Sequence, residues 1–406
     1  MSDDSPAAAD ALDARYDLVI VGGGVVGCAT AQALAPDYDV LVVEKGQVAA
    51  EATALAAGEI TMTPSYSDYP EVATHANEFF HAFDGTREFS YHPQESLELV
   101  PSGNGELAQR RVTRLQGEGI DVEFLDAEAV TDVTSRLRTE DIDGAVKHNE
   151  TGFVDPYTFA VTLRQEAEAA GATFLTGTTV EGLVVDGDPG SGTVTGVETE
   201  AGAVEAEQVL VAAGWRSQQF LEPHLEIPVQ PYRTQCLVLD PEDPLDETFP
   251  MGWIPGEHVY FRPELNGDLL VGGWSFAEGN PEAASGQADE EFREHVAGLL
   301  PRFFEGFDRA GYVDGWAGVD GATPDTRPIV DEPEAGPENL LVATGFHGRG
   351  VMTAPVAATL LRSFVTGEGS ELPAEEFALS RFGSTSPDFE FTSISAGEAD
   401  EDDAED

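Results

Sequence analysis

The sequence predicts an α/β protein in which a doubly wound, mostly parallel sheet is interleaved with a mainly antiparallel α+β domain. Three observations indicate this. A strand, a glycine-rich turn, a helix and a second strand occupy 15–60; near-continuous apolar runs at 207–215 and 339–344 are typical of buried parallel strands; alternating apolar and polar residues recur through 226–316. Because single cores rarely grow beyond about 250–300 residues, a chain of 406 residues also favours two domains.

The amino-terminal unit contains a strand at 17–21 that runs into Gly22-x-Gly24-x-x-Gly27 and a helix of small residues. One glycine permits the tight turn, one lets backbone approach a pyrophosphate, and one lets the helix pack on the strand. A second strand, 40–43, leads into Glu44, about 20 residues after the glycines, where a carboxylate accepts hydrogen bonds from a ribose. The unit therefore predicts a Rossmann-like dinucleotide-binding domain.

The other elements follow from periodicity and turn residues. Helices are predicted within 66–87 and at 106–117, 157–170, 288–306 and 351–365, and strands at 178–185, 229–239, 258–262 and 268–274, the last two joined by an Asn-Gly turn. The predicted dinucleotide-binding domain is discontinuous (15–87, 150–225 and 317–383), and the substrate domain comprises 88–149 and 226–316. We expect disorder at 1–14 and in the acidic tail 384–406.

Charge is the unusual property of the composition. Against 76 Asp and Glu there are 20 Lys and Arg, of which only Lys45 and Lys147 are lysines, and the net charge is −56. Concentrated salt would screen this self-repulsion, so we expect a halophile's protein. Such a charge argues against a nucleic-acid partner.

Cys28 and Cys236 are too few for a disulfide framework, and the absence of a signal peptide or an apolar span predicts a cytoplasmic protein without a membrane span.

A second glycine-rich turn follows the late strand. Gly345-Phe-His-Gly-Arg-Gly350 leads into an apolar helix. Together with the first turn, the Val211-Ala-Ala-Gly214 strand end and the stretch 323–330, this order resembles the FAD-dependent D-amino acid oxidase family, which includes glycine and sarcosine oxidases and D-amino acid dehydrogenases. The resemblance covers roughly 15–380, and 227–233 is similar to sarcosine oxidases. It implies an FAD/NAD(P)-binding Rossmann-like domain, an antiparallel substrate domain and a flavin at their junction.

The resemblance also implies the cofactor contacts. It places the pyrophosphate on the first glycine turn, the adenosine ribose on Glu44, adenine near Val180, and the flavin beside the small-residue loop 52–58 and the last turn, whose N–H groups and helix dipole face the flavin pyrimidine. The implied FAD-binding residues are Gly22, Gly24, Val25, Val26, Gly27, Glu44, Lys45, Ala57, Gly58, Val180, Ala213, Gly214, Trp215, Gly345, His347, Gly348, Arg349, Gly350, Val351 and Met352.

The chain departs from the family's pattern at several positions. Gly318 stands where sarcosine oxidases attach FAD to a cysteine, so we expect non-covalent FAD. Asp320 and Met352 replace cations that bind the substrate carboxylate in relatives. Trp274 replaces a histidine over the flavin, and Leu270 replaces the lysine credited with oxygen activation. These replacements favour a dehydrogenase over an oxidase.

The substrate candidates lie on the antiparallel strands and the last turn. Arginine binds a carboxylate in a bidentate manner, so Arg262 and Arg349 are candidates for binding the substrate carboxylate. Arg233 is a third candidate, for which an ion pair within the protein is the favoured role. Asp320 and Glu59 are further candidates, for contact with a cationic amine. The predicted catalytic set is Tyr260, Arg262, Trp274, His347 and Arg349, with no metal.

The predicted reaction is hydride transfer from the carbon beside an amine of a small amino acid (a D-amino acid, glycine or an N-methyl amino acid) to FAD, with an electron acceptor that the sequence does not identify. Three alternatives remain open. A 2-hydroxy acid substrate would need a base such as His347. An NAD-dependent dehydrogenase would need only the first glycine turn. A flavoprotein without turnover would not need the missing substrate cations.

Overall fold

A computed structural model describes Leu12 and residues 14–394 of the protein. Most of the predicted disordered N-terminus and residues 395–406 of the predicted tail lie outside the described residues. The helices are α1 Val25–Leu34, α2 Met62–Ser65, α3 Pro70–Phe83, α4 Gly105–Gly117, α5 Ala127–Val133, α6 Pro156–Ala170, α7 Ser217–Leu221, α8 Glu290–Phe303 and α9 Gly350–Thr366.

The strands belong to two large sheets and one small sheet. In chain order they are β1 Arg15–Val21, β2 Val40–Glu44, β3 Glu59–Ile60, β4 His92–Pro93, β5 Ser96–Pro101, β6 Val122–Asp126, β7 Ile142–His148, β8 Gly152–Phe153, β9 Thr173–Thr176, β10 Val180–Asp186, β11 Thr193–Thr199, β12 Gly202–Val211, β13 Gln230–Asp240, β14 Met251–Ile254, β15 Val259–Pro263, β16 Leu269–Ala277, β17 Gly311–Ala322, β18 Ile329–Asp331 and β19 Leu340–Thr344.

The first sheet is parallel at its centre, in the order β9, β2, β1, β12, β19. The hairpin β10–β11 and strand β18 extend it in antiparallel fashion. Helices α1, α3, α6 and α9 contribute to the core on one face, and the β10–β11 hairpin and α7 contribute to the core on the other. The late strand, 340–344, is buried along its whole length, as its apolar composition predicts.

The second sheet has eight strands in the order β17, β13, β16, β15, β14, β5, β7, β6, antiparallel except for the β14–β5 pair. Helix α8 packs on one of its faces through Phe292, Val296 and Leu300. Strand β17 pairs with β13 along its length, so the proposed domain boundary at 316/317 falls inside one continuous strand. The predicted fold class, a Rossmann-like domain interleaved with an antiparallel α+β domain, is confirmed.

The segment 384–394 corrects the prediction of a tail that is disordered from Ser384 onward. Gln230 donates a hydrogen bond from Nε2 to the Phe389 carbonyl over 2.9 Å, and the Phe391 ring stacks on Tyr232 with 5.3 Å between centroids. The cause is the aromatic and aliphatic content of this segment, part of which is half-buried against β13 and is obscured in the sequence by the acids that follow it. Within the described part of the chain, none of the helices combines the length and the apolar character needed to cross a lipid bilayer.

Candidate active site

A cavity of about 830 Å³ lies where the two sheets face each other. Its walls come from the turn after β1, the segment 43–69, the segment after β12, the inner face of the second sheet and the turn before α9. The segment 392–394 contributes as well, through Thr392, Ser393 and Ile394. Elements far apart in the sequence therefore enclose one continuous space.

The first glycine turn has two kinds of glycine. A Cβ on Gly22 would lie 2.4 Å from the Ala212 carbonyl oxygen, and one on Gly27 would lie 2.1 Å from the Gly22 carbonyl oxygen. These two positions need glycine because the backbone itself is too close. A Cβ on Gly24 would meet only the Thr53 hydroxyl at 3.5 Å, so the space beside this residue is open toward the cavity.

Two helices begin at the cavity, and in neither does the side chain of the N-cap residue accept a hydrogen bond from the first turn. Gly24 caps α1 and Arg349 caps α9, neither with a side-chain hydrogen bond, and neither first turn contains an acid. The Thr53 hydroxyl accepts a hydrogen bond from the N–H of Val25 in α1 over 3.1 Å, and Asp320 accepts one from the N–H of Gly348 just before α9 over 2.8 Å. The other N–H groups of the two first turns and the helix dipoles suit a ligand's negative groups. These donors and the open space at Gly24 fit FAD, whose pyrophosphate would lie at α1 and whose flavin pyrimidine would lie at α9.

Glu44 lies at the end of β2 on the cavity wall. Its two carboxylate oxygens accept hydrogen bonds from the N–H groups of Gly23 and Gly46, each over 2.7 Å. These bonds hold the carboxylate beside the turn, where each oxygen retains a lone pair for a ribose hydroxyl. Lys45 also lines the cavity, and it forms an ion pair of 2.7 Å with Glu51.

Most of the predicted site residues lie on this wall, and five do not. Those on the wall are Gly22, Gly24, Val25, Val26, Glu44, Lys45, Ala57, Gly58, Val180, Ala213, Gly214, Trp215, Tyr260, Gly348, Arg349, Gly350, Val351 and Met352. Those that do not line it are Gly27, Arg262, Trp274, Gly345 and His347. Gly27 and Gly345 still shape the two turns, since a Cβ on Gly345 would lie 2.5 Å from the Thr323 methyl group.

Trp274 requires a correction. Strict alternation along β16 would place it on the cavity face with Leu270, but a β-bulge sets Trp274 and Ser275 together opposite Thr234. The bulge turns the indole to the other face, where it packs 4.7 Å from His295 and 5.7 Å from Phe292 of α8. Ser275 takes the place on the cavity wall.

His347 requires a correction as well. It is fully buried, and its Nε2 lies 2.9 Å from the Thr392 carbonyl oxygen. Its ring packs against Tyr232 and Phe391 at 5.1 and 5.5 Å. Burial lowers the pKa of this imidazole to about 4. His347 therefore holds the segment 389–394 against the last turn and is not placed to act as a base on a substrate in the cavity.

The arginines of the second sheet are occupied within the protein. Arg262 donates from Nε to the Ala57 carbonyl over 2.6 Å and pairs with Glu264 at 3.1 Å. Arg233 lies on the α8 side and pairs with Asp289 at 2.9 Å. The prediction that Arg262 binds the substrate is thereby corrected. Arg262 links the small-residue loop 52–58 to β15. Arg233 is an ion-pair residue.

Arg349 is different from the other arginines on the cavity wall. Arg111, Arg216 and Arg327 each pair with an acid, whereas among the described residues no carboxylate lies within 4 Å of Arg349. Within the described part of the chain, the hydrogen bonds of its guanidinium are two of 3.4 Å, from Nη1 to the carbonyl and hydroxyl oxygens of Thr326. Burial lowers its pKa, as expected for a cation without a close counter-ion. A carboxylate in the cavity would supply that counter-ion.

The two acids that the sequence analysis considered for contact with an amine, Asp320 and Glu59, both line the cavity. Asp320 accepts hydrogen bonds from the N–H groups of Gly348 and Gly321, each over 2.8 Å, which ties β17 to the last turn. Burial raises its pKa. Glu59 lies near Tyr260, Cys236 and Arg262, and burial raises its pKa to about 8.

Sequence reasoning missed a lobe of the cavity on β5, β7, β14 and α4. Here Arg111 pairs with Glu98, and His148 stacks on Trp253 with 5.4 Å between ring centroids. His148 and Arg111 lower the pKa of Glu98 against the effect of its burial. These residues are spread from 98 to 253 without a local motif, so only the sheet order brings them together.

Comparison with known proteins identifies the family of the chain. A family of FAD dependent oxidoreductases (DAO) matches residues 17–363. The chain is 27% identical over 382 residues to sarcosine oxidase subunit beta of Arthrobacter sp, covering 90% of this chain and 91% of that protein. It is 26% identical over 382 residues to glycine oxidase of Geobacillus kaustophilus, covering 90% and 97%.

The fold also matches solved structures. L-proline dehydrogenase from P. horikoshii superposes with a TM-score of 0.82 at 22% identity, covering 91% of this chain and 98% of that chain. The family match decides between the FAD-dependent and NAD-dependent alternatives, because its members bind FAD. The chain belongs to the DAO family and is an FAD-dependent oxidoreductase.

Proposed function

We propose that the protein oxidises a small amino acid at the carbon beside its amine, with FAD as hydride acceptor and a non-oxygen electron acceptor thereafter. The observation that carries this proposal is Arg349, a cavity arginine without an acidic partner among the described residues. A planar guanidinium in such a place suits a carboxylate bound through two parallel hydrogen bonds. Sarcosine oxidase and glycine oxidase, two relatives of the chain, are named for amino acid substrates.

The cofactor and the residues of the site would have separate roles in this reaction. Bound FAD supplies the hydride acceptor, which no side chain can replace. Arg349 holds the substrate carboxylate and so orients the neighbouring carbon. The helix dipole at the start of α9, whose first turn contains no acid, favours negative charge next to it. Hydride loss leaves an imine, which water hydrolyses to the oxo acid and an amine or ammonia.

The preference for a dehydrogenase rests on Leu270. This buried residue packs with Ala57 and Cys236 on the cavity side of the sheet. Arg262 lies directly opposite it on β15, but Glu264 at 3.1 Å compensates that charge. A free cation near this point would stabilise the negative charge that forms on oxygen during its reduction, and Leu270 cannot do so.

Anaerobic flavin bleaching with D-amino acids, glycine, N-methyl amino acids and 2-hydroxy acids tests the proposed reaction. We expect an amino acid to bleach the flavin, and Arg349→Leu to raise the substrate dissociation constant about 100-fold, because a charged hydrogen-bonded pair contributes about 1.5–3 kcal/mol. Arg293→Leu, which removes an exposed arginine of α8, is the control. Bleaching by hydroxy acids alone, or unchanged binding in Arg349→Leu, would overturn the assignment.

The choice of electron acceptor has its own test. We expect the reduced enzyme to pass electrons to a quinone or dye much faster than to oxygen, and Leu270→Lys to speed reoxidation by air. Stopped-flow reoxidation measures both rates. Rapid peroxide formation by the unmodified protein would refute the dehydrogenase assignment and leave the amino acid assignment intact.

A further inference from the structure

Glu59 is a carboxyl group on the cavity wall to which the reaction described so far assigns no role. It follows directly the small-residue loop that the family places beside the flavin, and it begins β3. Its Oε1 atom is buried and accepts no hydrogen bond. Among the described residues no cation lies within 4 Å of its carboxylate. The guanidinium of the neighbouring Arg262 binds Ala57 and Glu264 instead.

The neighbours of Glu59 leave it as the group that can exchange a proton near neutral pH. Arg262 and Glu264 form an ion pair of 3.1 Å. Burial raises the pKa of Tyr260 well above its ordinary value and that of Cys236 to about 12, so both stay protonated. The elements packed beside it contribute Phe153 of β8 and Met352 of α9, which do not titrate.

Position supports a role toward the substrate. Glu59 and Thr61 both line the cavity, and the Thr61 hydroxyl contacts the sulfur of Met352 in the first turn of α9 at 3.7 Å. Glu59 is therefore two residues from a contact with the start of α9, and its carboxyl group lies near Tyr260 of the second sheet. An amine beside the reacting carbon would enter this space.

We propose that Glu59 binds the substrate ammonium group and accepts one of its protons before hydride transfer. This inference rests on the proposed function and deepens it. The N–H bond breaks, its electron pair stays on nitrogen, and an O–H bond forms at the carboxylate. The nitrogen lone pair then assists departure of the hydride, with the C–H electron pair, to the bound flavin. Glu59 returns its proton to water after the product leaves.

The pH profile of the unmodified enzyme and of Glu59→Gln tests this step. A carboxyl pKa raised to about 8 means that Glu59 accepts a proton only above that pH. We expect kcat/KM to rise with pH through about 8, and Glu59→Gln to lose that limb and about 100-fold of its activity above it. A limb from the substrate's own ammonium group would persist in both proteins. Glu59→Asp should restore part of the activity.

A second readout does not depend on turnover. Infrared difference spectra of the oxidised enzyme, with and without the 2-hydroxy acid of the same skeleton as the substrate, should contain a carboxylic acid band that titrates near pH 8 and is missing in Glu59→Gln. That hydroxy acid has no ammonium group, so its dissociation constant should change less than twofold. Glu150→Gln, at an exposed position just before β8, removes the same charge as a control.

The outcomes separate the two proposals. If no amine reduces the flavin of the unmodified protein, the proposed function fails. If amines reduce it, but Glu59→Gln retains its flavin, its rate and the limb near pH 8, then the role of Glu59 is refuted and the function stands. Equal weakening of amino acid and hydroxy acid binding would likewise refute it, because the residue would then support only the cavity wall.

Discussion

Replacement of Gly24 by valine separates cofactor binding from folding. Gly24 has φ −72° and ψ 180°, which valine adopts readily, and a Cβ there meets only Thr53 at 3.5 Å. The protein without cofactor should therefore tolerate the change, with its free energy of unfolding altered by about 1 kcal/mol, the usual cost of losing a good helix cap. In a chain of this size that shifts Tm by only a few degrees.

FAD binding should respond very differently. The valine methyl groups would occupy the space that the pyrophosphate needs at the start of α1. Loss of two charge-assisted hydrogen bonds at about 1.5 kcal/mol each removes roughly 3 kcal/mol, or about 100-fold in affinity. We expect purified Gly24→Val to be colourless, and FAD titration of the stripped protein, followed by flavin fluorescence, to measure the weakened affinity.

Two further glycines provide the comparison. Gly279→Val changes an exposed glycine with nothing within 4 Å of its Cβ and should keep the cofactor. Gly27→Ala should instead destabilise the fold, by about 3 kcal/mol, because its Cβ would lie 2.1 Å from a carbonyl oxygen. A Gly24→Val protein with the flavin content of the unmodified protein would refute the placement of the pyrophosphate.

Three other predictions concern stability. Burial lowers the pKa of His347 from 6.5 to about 4, so the unfolded chain binds a proton at a higher pH than the folded protein does. The free energy of unfolding should therefore fall, on the order of 3 kcal/mol, as the pH drops from 6.5 to 4. Urea titrations measure this fall, and His347→Gln should reduce it. With a net charge of −56, Tm by calorimetry should rise as KCl increases from 0.1 M to molar levels, and a constant Tm would contradict the screening argument. Phe391→Ala should speed amide exchange at 389–394, whereas Phe276→Ala, at a ring that is 40% exposed, should not.

Local physics explains why much of the fold was predictable. The turn at Gly22–Gly27 depends on backbone contacts within a few residues of each other and of β12, and glycine is the residue that such contacts require. Strand β19 and the buried end of β12, residues 209–211, have apolar side chains on both faces, a pattern that needs no knowledge of the partner strand. The cofactor half of the site follows from these same short segments.

The substrate half could not be predicted in the same way. One extra residue in β16 reverses the face of Trp274, and alternation read along a single strand does not reveal a bulge whose existence depends on β13. The roles of Arg262, His347 and Arg349 depend on the acids and carbonyl groups that lie beside them in the folded protein. Several of these groups belong to segments far away in the sequence.

By itself, then, the sequence determined the fold class, the dinucleotide-binding turn, the family and the excess of negative charge, because these depend on residue types and short spacings. Only the tertiary structure decided which polar groups are left without partners inside the cavity. Among the described residues it identified Glu59, whose Oε1 accepts no hydrogen bond, and Arg349, which has no acidic partner, and it added the segment 392–394 to the wall. The physical reason is that a side chain becomes available for chemistry when its neighbours in space do not satisfy it, and those neighbours come from sheets assembled across the whole chain.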